Sequence, residues 1–322
     1  MKKRIAISLC FLMVLGLALS GCSNSGPDKG NSSAPAAPAE KVFKVGINNF
    51  GQANFFARIG KASLEDQIKK NGGEVIATVN ADVPGRVASI ENMVAQGVDA
   101  IIIQEGDITQ LAPALKEAKN KGILIGSMDA GDADFVDVFV ESDNNQLGTT
   151  AAEQMVKLIG EKGNIVEIYN DAGSMIRVRR AAMQKVLEGK PEVKILAGFT
   201  YAWPDYFPDA KAKMEAVLQA NPGKVNAVYA TFDGVGLAAA QAIREAGLQD
   251  KIVVVGIDGD PEAYVEMQKA DSPFKATLAQ DPDTMARTCV DKVFELLKGH
   301  TISERHIYIP GKLITKDNIP AQ

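Results

Sequence analysis

The chain has 322 residues, 46% of them hydrophobic and 23% charged, and its formal net charge is -5. This composition is typical of a soluble globular protein and argues against a disordered, collagen-like or multi-span membrane chain. The negative charge argues against nucleic-acid binding, which needs a basic surface. Three cysteines and two histidines are too few for a disulfide framework or a metal cluster. The length predicts two domains of about 150 residues each.

The N-terminus has the parts of a secretory signal. Residues 2–4 (KKR) are basic, residues 5–19 form an apolar run, and small residues then lead into Cys22. The run is short for a membrane span but fits a signal peptide. LSGC at residues 19–22 resembles the bacterial lipobox, in which the cysteine is acylated and becomes the first residue. We expect residues 1–21 to be a lipoprotein signal peptide and Cys22 its lipidation site; a plain signal peptide or an uncleaved anchor is the alternative.

A tether is expected to follow the signal. Residues 23–41 (SNSGPDKGNSSAPAAPAEK) are rich in Ser, Gly, Pro and Ala and lack apolar periodicity. Such a segment cannot bury enough apolar surface to offset the entropy of ordering. Residues 22–41 are therefore predicted to be a disordered tether.

From residue 42 onward, short β-branched runs alternate with longer segments of helical period, which predicts repeated βα units. The predicted strands cover residues 43–47, 75–79, 100–103, 123–126, 165–168, 194–197, 227–230 and 252–257. Their continuous apolar character is what a parallel sheet buried on both faces requires. The predicted fold class is α/β, doubly wound.

Amphipathic segments lie between the predicted strands. The residues expected on buried helical faces are Val87, Ile90 and Val94; Leu111, Leu115 and Ala118; and Leu237, Ile243 and Ala246. Gly122 and Gly247 follow the second and third groups, at positions typical of helix ends. Cys289 shares a helical pattern with Val290 and Val293, so we interpret it as a small core residue and not as a nucleophile.

Polar and aromatic residues follow the predicted strands. They are Asn48, Asn49, Asn54, Phe55 and Phe56; Gln104 and Glu105; Asp129; Asn170 and Asp171; Phe232 and Asp233; and Asp258. Ligands of open parallel sheets bind beyond the carboxyl ends of the strands. Carboxylates and amides suit the hydroxyl groups of a neutral ligand, and aromatic faces cover its C–H groups. The alternative for each Asp or Asn is an ordinary helix N-cap.

Motifs of catalysis are missing from the sequence. It contains no G-x-S-x-G elbow and no G-x-x-x-x-G-K-[ST] phosphate loop, and the first strand lacks the G-x-G-x-x-G spacing of a dinucleotide site. The acidic residues 129–134 (DAGDAD) lack the spacing of an EF-hand. His300 and His306 are interpreted as residues of a solvated turn. We therefore expect no enzymatic activity, no cofactor and no metal site.

Several blocks of sequence occur together in a recognisable order. They are residues 54–56 (NFF), 90–103 (IENMVAQGVDAIII), 116–122 (KEAKNKG) with Asp129, 253–259 (VVVGIDG) and 276–280 (ATLAQ). With these blocks, residues 42–316 resemble the periplasmic sugar-binding proteins of ABC transporters, in the ribose-binding branch that shares its fold with LacI-type repressors. The missing helix-turn-helix and the lipobox argue against a repressor.

The resemblance implies two Rossmann-like lobes joined by a three-strand hinge, as in type I periplasmic binding proteins. The N-terminal lobe would comprise residues 42–142 and 281–310. The C-terminal lobe would comprise residues 143–280 and 311–322. The crossings would then lie near residues 142–143, 280–281 and 310–311.

The resemblance also implies which residues bind the ligand. In the first lobe, Phe55 and Phe56 match aromatics that stack on a sugar ring, one facing the cleft and the other the core, and Asp129 matches a carboxylate that binds adjacent hydroxyls. In the second lobe, Arg179 matches an arginine that binds the ring oxygen and a hydroxyl, while Arg177 and Arg180 are expected to be solvated. The expected ligand-binding residues are Asn54, Phe55, Phe56, Asp129, Arg179, Trp203, Phe232, Asp258 and Gln280.

Three positions depart from the pattern of ribose binders. Ala130 stands where an arginine is usual, Phe232 replaces an amide, and Ala53 replaces another. Asn48, Asn49 and Asn54 could substitute for the missing polar contacts. The cleft is therefore expected to be more aromatic than a ribose site, and a hexose, a deoxy-sugar or a cyclitol is as compatible as a pentose.

The implied function is capture of a monosaccharide or polyol by hinge closure and its delivery to an ABC permease. The expected partners are that ligand, the permease subunits and the membrane, through the lipid on Cys22. We expect a monomer in the bacterial cell envelope, outside the cytoplasmic membrane, with no nucleic-acid partner. The alternatives are a receptor that captures an autoinducer or chemotactic sugar for a membrane sensor, and a binder of a non-sugar solute.

Overall fold

The computed structural model of the protein describes residues 41–80 and 82–321. The predicted signal peptide, the lipidation site Cys22 and all but the last residue of the predicted tether lie outside these residues. The strands are β1 (Lys44–Asn49), β2 (Glu74–Val79), β3 (Ala100–Gln104), β4 (Leu124–Met128), β5 (Val138–Ser142), β6 (Gly163–Tyr169), β7 (Val193–Thr200), β8 (Ala227–Ala230), β9 (Val253–Asp258), β10 (Phe274–Ala279), β11 (His306–Ile309) and β12 (Lys312–Thr315).

Helices connect most of these strands. They are α1 (Phe55–Lys70), α2 (Val83–Ala95), α3 (Ala112–Asn120), α4 (Asn144–Leu158), α5 (Ser174–Glu188), α6 (Tyr206–Ala220), α7 (Asp233–Glu245), α8 (Pro261–Gln268) and α9 (Pro282–Leu297). Within the described residues, no helix is both long enough and apolar enough to cross a membrane.

The strands form two sheets of the same design. The first sheet has the order β11-β5-β4-β3-β1-β2 and is parallel throughout. The second has the order β12-β10-β9-β8-β6-β7, and only the edge strand β12 runs antiparallel. The predicted doubly wound α/β class is confirmed. We call the first sheet with α1–α3 and α9 the first lobe, and the second sheet with α4–α8 the second lobe.

All eight predicted strands are present, with boundaries shifted by up to three residues. Four further strands, β5, β10, β11 and β12, were not predicted from the apolar runs because they are short or carry polar residues. Gly122 and Gly247 follow the ends of α3 and α7 with φ of 81° and 68°, a backbone conformation that glycine adopts at little cost. Ala246 was assigned wrongly to a buried face: it caps α7 and is exposed.

Each sheet is covered by helices on both faces. In the first lobe, α1 and α9 pack on one face and α2 and α3 on the other. In the second lobe, α4 and α5 cover one face and α6, α7 and α8 the other. Cys289 is fully buried between α9 and the first sheet, which confirms its assignment to the core. This burial on both faces explains why the central strands are continuously apolar.

The chain passes between the two sheets three times: from β5 to α4, from β10 to α9, and from β11 to β12. The first two passages end at Asp143 and Asp281, whose carboxylates accept hydrogen bonds from the backbone N–H groups of Gln146 and Thr284 and so cap α4 and α9. The passages also bond to each other, because the Asp143 N–H donates to the carbonyl of Ile309 at 3.2 Å. They hold the carboxyl ends of the two sheets facing one another.

Candidate functional site

A cavity lies between the lobes at the carboxyl ends of the parallel strands. It contains about 700 Å³ of space unfilled by atoms, part of which is open to solvent. In the first sheet β1 lies between β2 and β3, and in the second β6 lies between β7 and β8, so each sheet reverses its strand order there. Phe50 directly follows β1, Glu105 directly follows β3, and Asn170 directly follows β6, whereas Phe232 comes two residues after β8. All four residues line the cavity. The cavity therefore lies at the switch point of both sheets, where open α/β sheets bind ligands.

The structure brings eight of the nine predicted binding residues to this cavity. They are Asn54, Phe56, Asp129, Arg179, Trp203, Phe232, Asp258 and Gln280. Phe55 is the exception: it is the first residue of α1, is half-buried, and contributes neither to the cavity wall nor to the core. Of the two adjacent aromatics, only Phe56 lines the cleft.

Arg179 is the central cation of the cavity. It lies in α5 and its side chain is 4% exposed. Its Nε donates to Oδ1 of Asn144 at 2.7 Å, and its Nη1 donates to the carbonyl of Thr231 at 3.1 Å. Its guanidinium lies 4.0 Å from Oδ2 of Asp129 in the first lobe and 3.7 Å from Oδ1 of Asp258 in the second. Arg179 thus compensates a carboxylate of each lobe without bonding either one directly.

The neighbouring arginines were expected to be solvated: Arg177 is exposed, as expected, whereas Arg180 is partly buried, and both make ion pairs. The Nη2 of Arg177 lies 2.6 Å from Asp107 in the first lobe. Arg180 donates from Nε and Nη2 to both carboxylate oxygens of Glu167 and lies over the ring of Tyr169. Helix spacing explains the difference, since three arginines within four residues point to three sides of α5.

Three carboxylates line the cavity: Glu105, Asp129 and Asp258. Burial raises the pKa of all three, to about 8 for Glu105 and about 7 for Asp258, while Arg179 opposes the shift at Asp129 and Asp258. Asp258 also accepts a hydrogen bond from Nε2 of Gln280 at 2.7 Å. Gln280 lies in the passage from β10 to α9 and accepts one from Ser142 at 2.8 Å. The second-lobe carboxylate is therefore bonded to one of the passages between the lobes and is linked, through Gln280, to Ser142 at the start of another.

The backbone at these carboxylates is unusual. Four non-glycine residues of the described chain have positive φ, and three of them are Glu105 at 58°, Asp129 at 54° and Asp258 at 146°. Such conformations cost on the order of 1–3 kcal/mol each and persist where the surrounding structure imposes them. The ends of β3, β4 and β9 are bent in a way that places a carboxylate in the cavity each time.

Aromatic rings form much of the cavity wall, and Tyr206, outside the lining, joins Trp203 to Phe232. Phe50 of the first lobe stacks on Trp203 of the second, with centroids 5.9 Å apart, and Trp203 stacks on Tyr206. Phe232 meets Tyr201 and Tyr206 edge to face. The indole Nε1 of Trp203 is buried without a hydrogen-bond partner in the described part of the chain. Stacked rings of this kind cover the C–H faces of a ligand, and an unpaired indole N–H can donate to it.

Other strand-end residues have structural roles. Asn48 accepts from Nε of Arg86 and donates to Ser89, and Asn49 donates to Gln104, so neither substitutes for a missing ligand contact as the sequence suggested. Asp233 accepts hydrogen bonds from the backbone of residues 259 and 260 and from Thr277. These side chains face their own lobe and fix the loops that carry the cavity residues.

Sequence reasoning omitted several residues of the cavity wall. Phe50, Tyr201 and Ile176 were not singled out, and Glu105 and Asn170 were noted after strands but not assigned to the site. The available signal was position, because Phe50 and Glu105 directly follow β1 and β3. The interpretation of His306 was wrong: it lies in β11, and its Nε2 is 2.7 Å from Oε1 of Glu141.

Comparison with known proteins agrees with this architecture. Residues 45–301 match the periplasmic binding protein domain family. The chain belongs to this family. Its members are bacterial extracytoplasmic solute-binding proteins, which are non-enzymatic components of transporters. The resemblance to type I periplasmic sugar-binding proteins of ABC transporters is confirmed.

Individual relatives cover nearly the whole chain. A xylitol-binding protein from Mycolicibacterium smegmatis is 27% identical over 308 residues, which are 95% of this chain and 84% of the relative. A galactofuranose-binding protein from Escherichia coli is 30% identical, over 85% of this chain and 87% of the relative. A solved ABC transporter solute-binding protein from Agrobacterium vitis with bound allitol has a TM-score of 0.83 and 30% identity, covering 87% of this chain and 97% of that one.

Proposed function

We propose that the protein captures a monosaccharide or polyol in the cavity between its lobes and delivers it to an ABC permease. One observation carries the proposal: Arg179 lies between Asp129 of the first lobe and Asp258 of the second, inside an aromatic-walled cavity. A ligand rich in hydroxyl groups satisfies such a set. Each carboxylate accepts from adjacent hydroxyls, and the planar guanidinium donates to a ring or hydroxyl oxygen.

Capture by closure follows from the division of the site between the lobes. Asn54, Phe56 and Asp129 come from the first lobe, whereas Arg179 and Trp203 come from the second. One ligand that contacts both sets favours the closed arrangement by its difference in affinity for the closed and open states.

The lobes already touch at the rim of the cavity. Arg177 pairs with Asp107, the hydroxyl of Ser174 donates to the carbonyl of Gly106 at 3.2 Å, and the hydroxyl of Tyr206 donates to the carbonyl of Ala53 at 3.3 Å. An exposed ion pair and two hydrogen bonds are each worth about 1 kcal/mol or less. Such a rim can complete the closed state around a ligand and still release when the ligand leaves.

The names of the relatives favour a small polyhydroxylated ligand, because they bind xylitol, galactofuranose and allitol. Lipid attachment at Cys22 and a monomeric state are part of the same proposal. The anchor would keep the protein outside the cytoplasmic membrane, close to its permease. Mass spectrometry of the N-terminal peptide of membrane-purified protein tests the anchor, because an unmodified Cys22 would contradict it.

A ligand screen tests the proposed function. Thermal melting and Trp203 fluorescence are followed against pentoses, hexoses, polyols, cyclitols, amino acids and nucleosides. Trp203 is the only tryptophan of the chain and lies in the cavity wall. A ligand at 100 times its Kd adds about 2.7 kcal/mol of stability. We expect a melting shift and an emission change with a sugar or polyol. A response to amino acids or nucleosides alone would contradict the assignment.

A further inference from the structure

Glu105 is a cavity carboxylate whose charge is not compensated by any side chain that touches it. Its Oε1 accepts a long hydrogen bond from Nδ2 of Asn54, at 3.3 Å. Its Oε2 is buried without a hydrogen-bond partner among residues 41–80 and 82–321. No Lys, Arg or His of these residues lies within ion-pairing distance of the carboxylate. A buried carboxylate oxygen without a partner is costly, so its presence in a ligand cavity requires an explanation.

The nearest arginine is committed to other atoms. Arg86 is buried behind the loop, where its Nη1 donates to the backbone carbonyl of Glu105 at 2.8 Å and its Nη2 donates to the carbonyls of Asn48 and Gln104. Its Nε donates to the side chain of Asn48. Arg86 also blocks a side chain at Gly106, where an added Cβ would lie 2.5 Å from Nη1. Arg86 therefore holds the backbone of the loop and leaves the carboxylate of Glu105 free.

The charges of the cavity wall do not balance. Among residues 41–80 and 82–321, Glu105, Asp129 and Asp258 are the three acids that line the cavity, and Arg179 is the single arginine. Arg179 lies between the two aspartates, so the third acid, Glu105, has no cation of its own. An isolated buried carboxylate is unfavourable, and a cation on the ligand would offset the charge of Glu105.

We infer that the ligand carries a protonated amino group, and that Glu105 binds this ammonium and so determines specificity for an amino-substituted sugar or polyol. This inference rests on the proposed function, because it names the class of sugar or polyol that the same cavity takes. Asp129, Asp258 and Arg179 bind the hydroxyl groups, while Oε2 of Glu105 accepts from the ammonium. Three donors on an ammonium suit an acceptor that has unused lone pairs.

The surroundings of Glu105 favour an organic ammonium over a metal ion. Within the described residues, no group of three or more His, Cys, Asp or Glu side chains is arranged to hold a metal. Phe50 lies beside the same loop, because an added Cβ at Gly106 would be 3.5 Å from its ring, and it continues the aromatic wall through Trp203. Aromatic faces attract an alkylammonium, and the attraction grows when water is excluded.

Glu105 also changes its protonation state near neutral pH, where ligand binding can be measured. Burial and the charges of Asp129 and Asp258 raise its pKa to about 8, against the smaller lowering by Asn54 and Arg86. The other groups facing Glu105 are Arg179, in the same cavity wall, and Tyr201, whose pKa is raised by burial and also by the charge of Glu105. Binding of an ammonium needs the ionised carboxylate, so it displaces a proton from Glu105 near neutral pH. A neutral ligand has no such requirement at this residue.

Matched pairs of probes test the inference: glucosamine against glucose, galactosamine against galactose, and glucamine against sorbitol, each titrated by calorimetry at pH 8. We expect the amine of at least one pair to bind tenfold or more tightly than its hydroxyl partner. In E105Q, this ratio falls at least tenfold. In D66N, which alters an exposed ion pair with Lys70 on α1 away from the cavity wall, the ratio is unchanged.

The wild-type protein provides a second readout that does not depend on how E105Q folds. At pH 7, amine binding measured in two buffers of different ionisation enthalpy releases a fraction of a proton that the neutral partner does not release. Tighter binding of the neutral members, or equal ratios in wild type and E105Q, overturns the inference and leaves the proposed function intact. Binding of no member of any pair, in a protein that binds an amino acid or nucleoside, overturns both.

Discussion

Replacing Arg179 by methionine is expected to lower the free energy of unfolding by about 3–5 kcal/mol at pH 8. Methionine keeps most of the side-chain volume and removes the charge. At roughly 4 Å and an effective dielectric constant of about 20, each attraction of a guanidinium to a carboxylate is worth about 4 kcal/mol. Arg179 has two such neighbours, Asp129 at 4.0 Å and Asp258 at 3.7 Å. Part of this gain is offset by the desolvation of the arginine, which leaves the net value given above.

The loss should depend on pH in a defined direction. Burial raises the pKa of Asp258 to about 7 and also raises that of Asp129, and removing Arg179 raises both further. At pH 5 the uncompensated carboxylates of the variant are protonated, so its deficit relative to wild type shrinks by about half or more.

Urea unfolding followed by circular dichroism at pH 5 and pH 8 measures both effects. Arg177→Met is the matched control on the same helix, because Arg177 is partly exposed and its pair with Asp107 is worth about 1 kcal/mol or less. If Arg179→Met is no less stable than Arg177→Met at pH 8, Arg179 does not compensate the cavity carboxylates.

Three further predictions concern stability and reactivity. Because the folded protein raises the pKa of Glu105 to about 8, the stability contributed by this residue is present in full below about pH 4.5 and is lost as pH rises through about 8. In urea titrations, the free energy of unfolding of wild type should therefore fall by up to about 4 kcal/mol more than that of Glu105→Gln between pH 5 and pH 8. If the two free energies depend on pH in the same way, Glu105 does not carry a buried charge. Burial raises the pKa of Cys289 to about 12, so mass spectrometry should find its thiol unmodified by alkylating reagent in the native protein and modified only in urea; native labelling would show that it is accessible. At Gly148 an added Cβ would lie 2.4 Å from the carbonyl oxygen of Arg179, so Gly148→Ala should destabilise the protein by about 1–3 kcal/mol. Gly189→Ala is the control, because the nearest atom there is 3.6 Å away, and its stability should stay within about 1 kcal/mol of wild type. Equal melting temperatures of the two variants would disprove the close packing of α4 on α5.

The core of the fold could be predicted from the sequence because its strands are buried on both faces. Ala100–Gln104 and Val253–Asp258 consist of apolar residues up to their last position. An amphipathic helix would instead place polar residues among the apolar ones, so these runs indicate buried strands. Two of the four strands that were missed lack this signal, although β5 (VFVES) carries it. His306–Ile309 and Lys312–Thr315 are short edge strands with partly exposed side chains, and only their pairing partners on other segments make them strands.

The site was predictable in its components but not in its balance of charge. Asp129, Asp258 and Arg179 occupy positions that strand ends and the family resemblance single out. The exclusion of Phe55 from the wall depends on the start of α1, which a sequence pattern locates only to within a few residues. The carboxylate of Glu105 lacks an ion-pair partner because Arg86 donates to the backbone carbonyl of Glu105 and not to its side chain. The direction of the Arg86 side chain cannot be predicted from the sequence pattern. Contacts between lobes, such as Phe50 on Trp203, likewise arise only after folding.

The central claim is that one ligand is held by both lobes at once. Calorimetric titration of the tightest ligand from the screen into wild type, Asp129→Asn and Asp258→Asn at pH 8 tests it directly. We predict one site per chain and at least a tenfold loss of affinity in each variant, because each lobe supplies one carboxylate to the same molecule. Wild-type affinity in either variant would show that the corresponding lobe does not hold the ligand, and would contradict capture between the lobes.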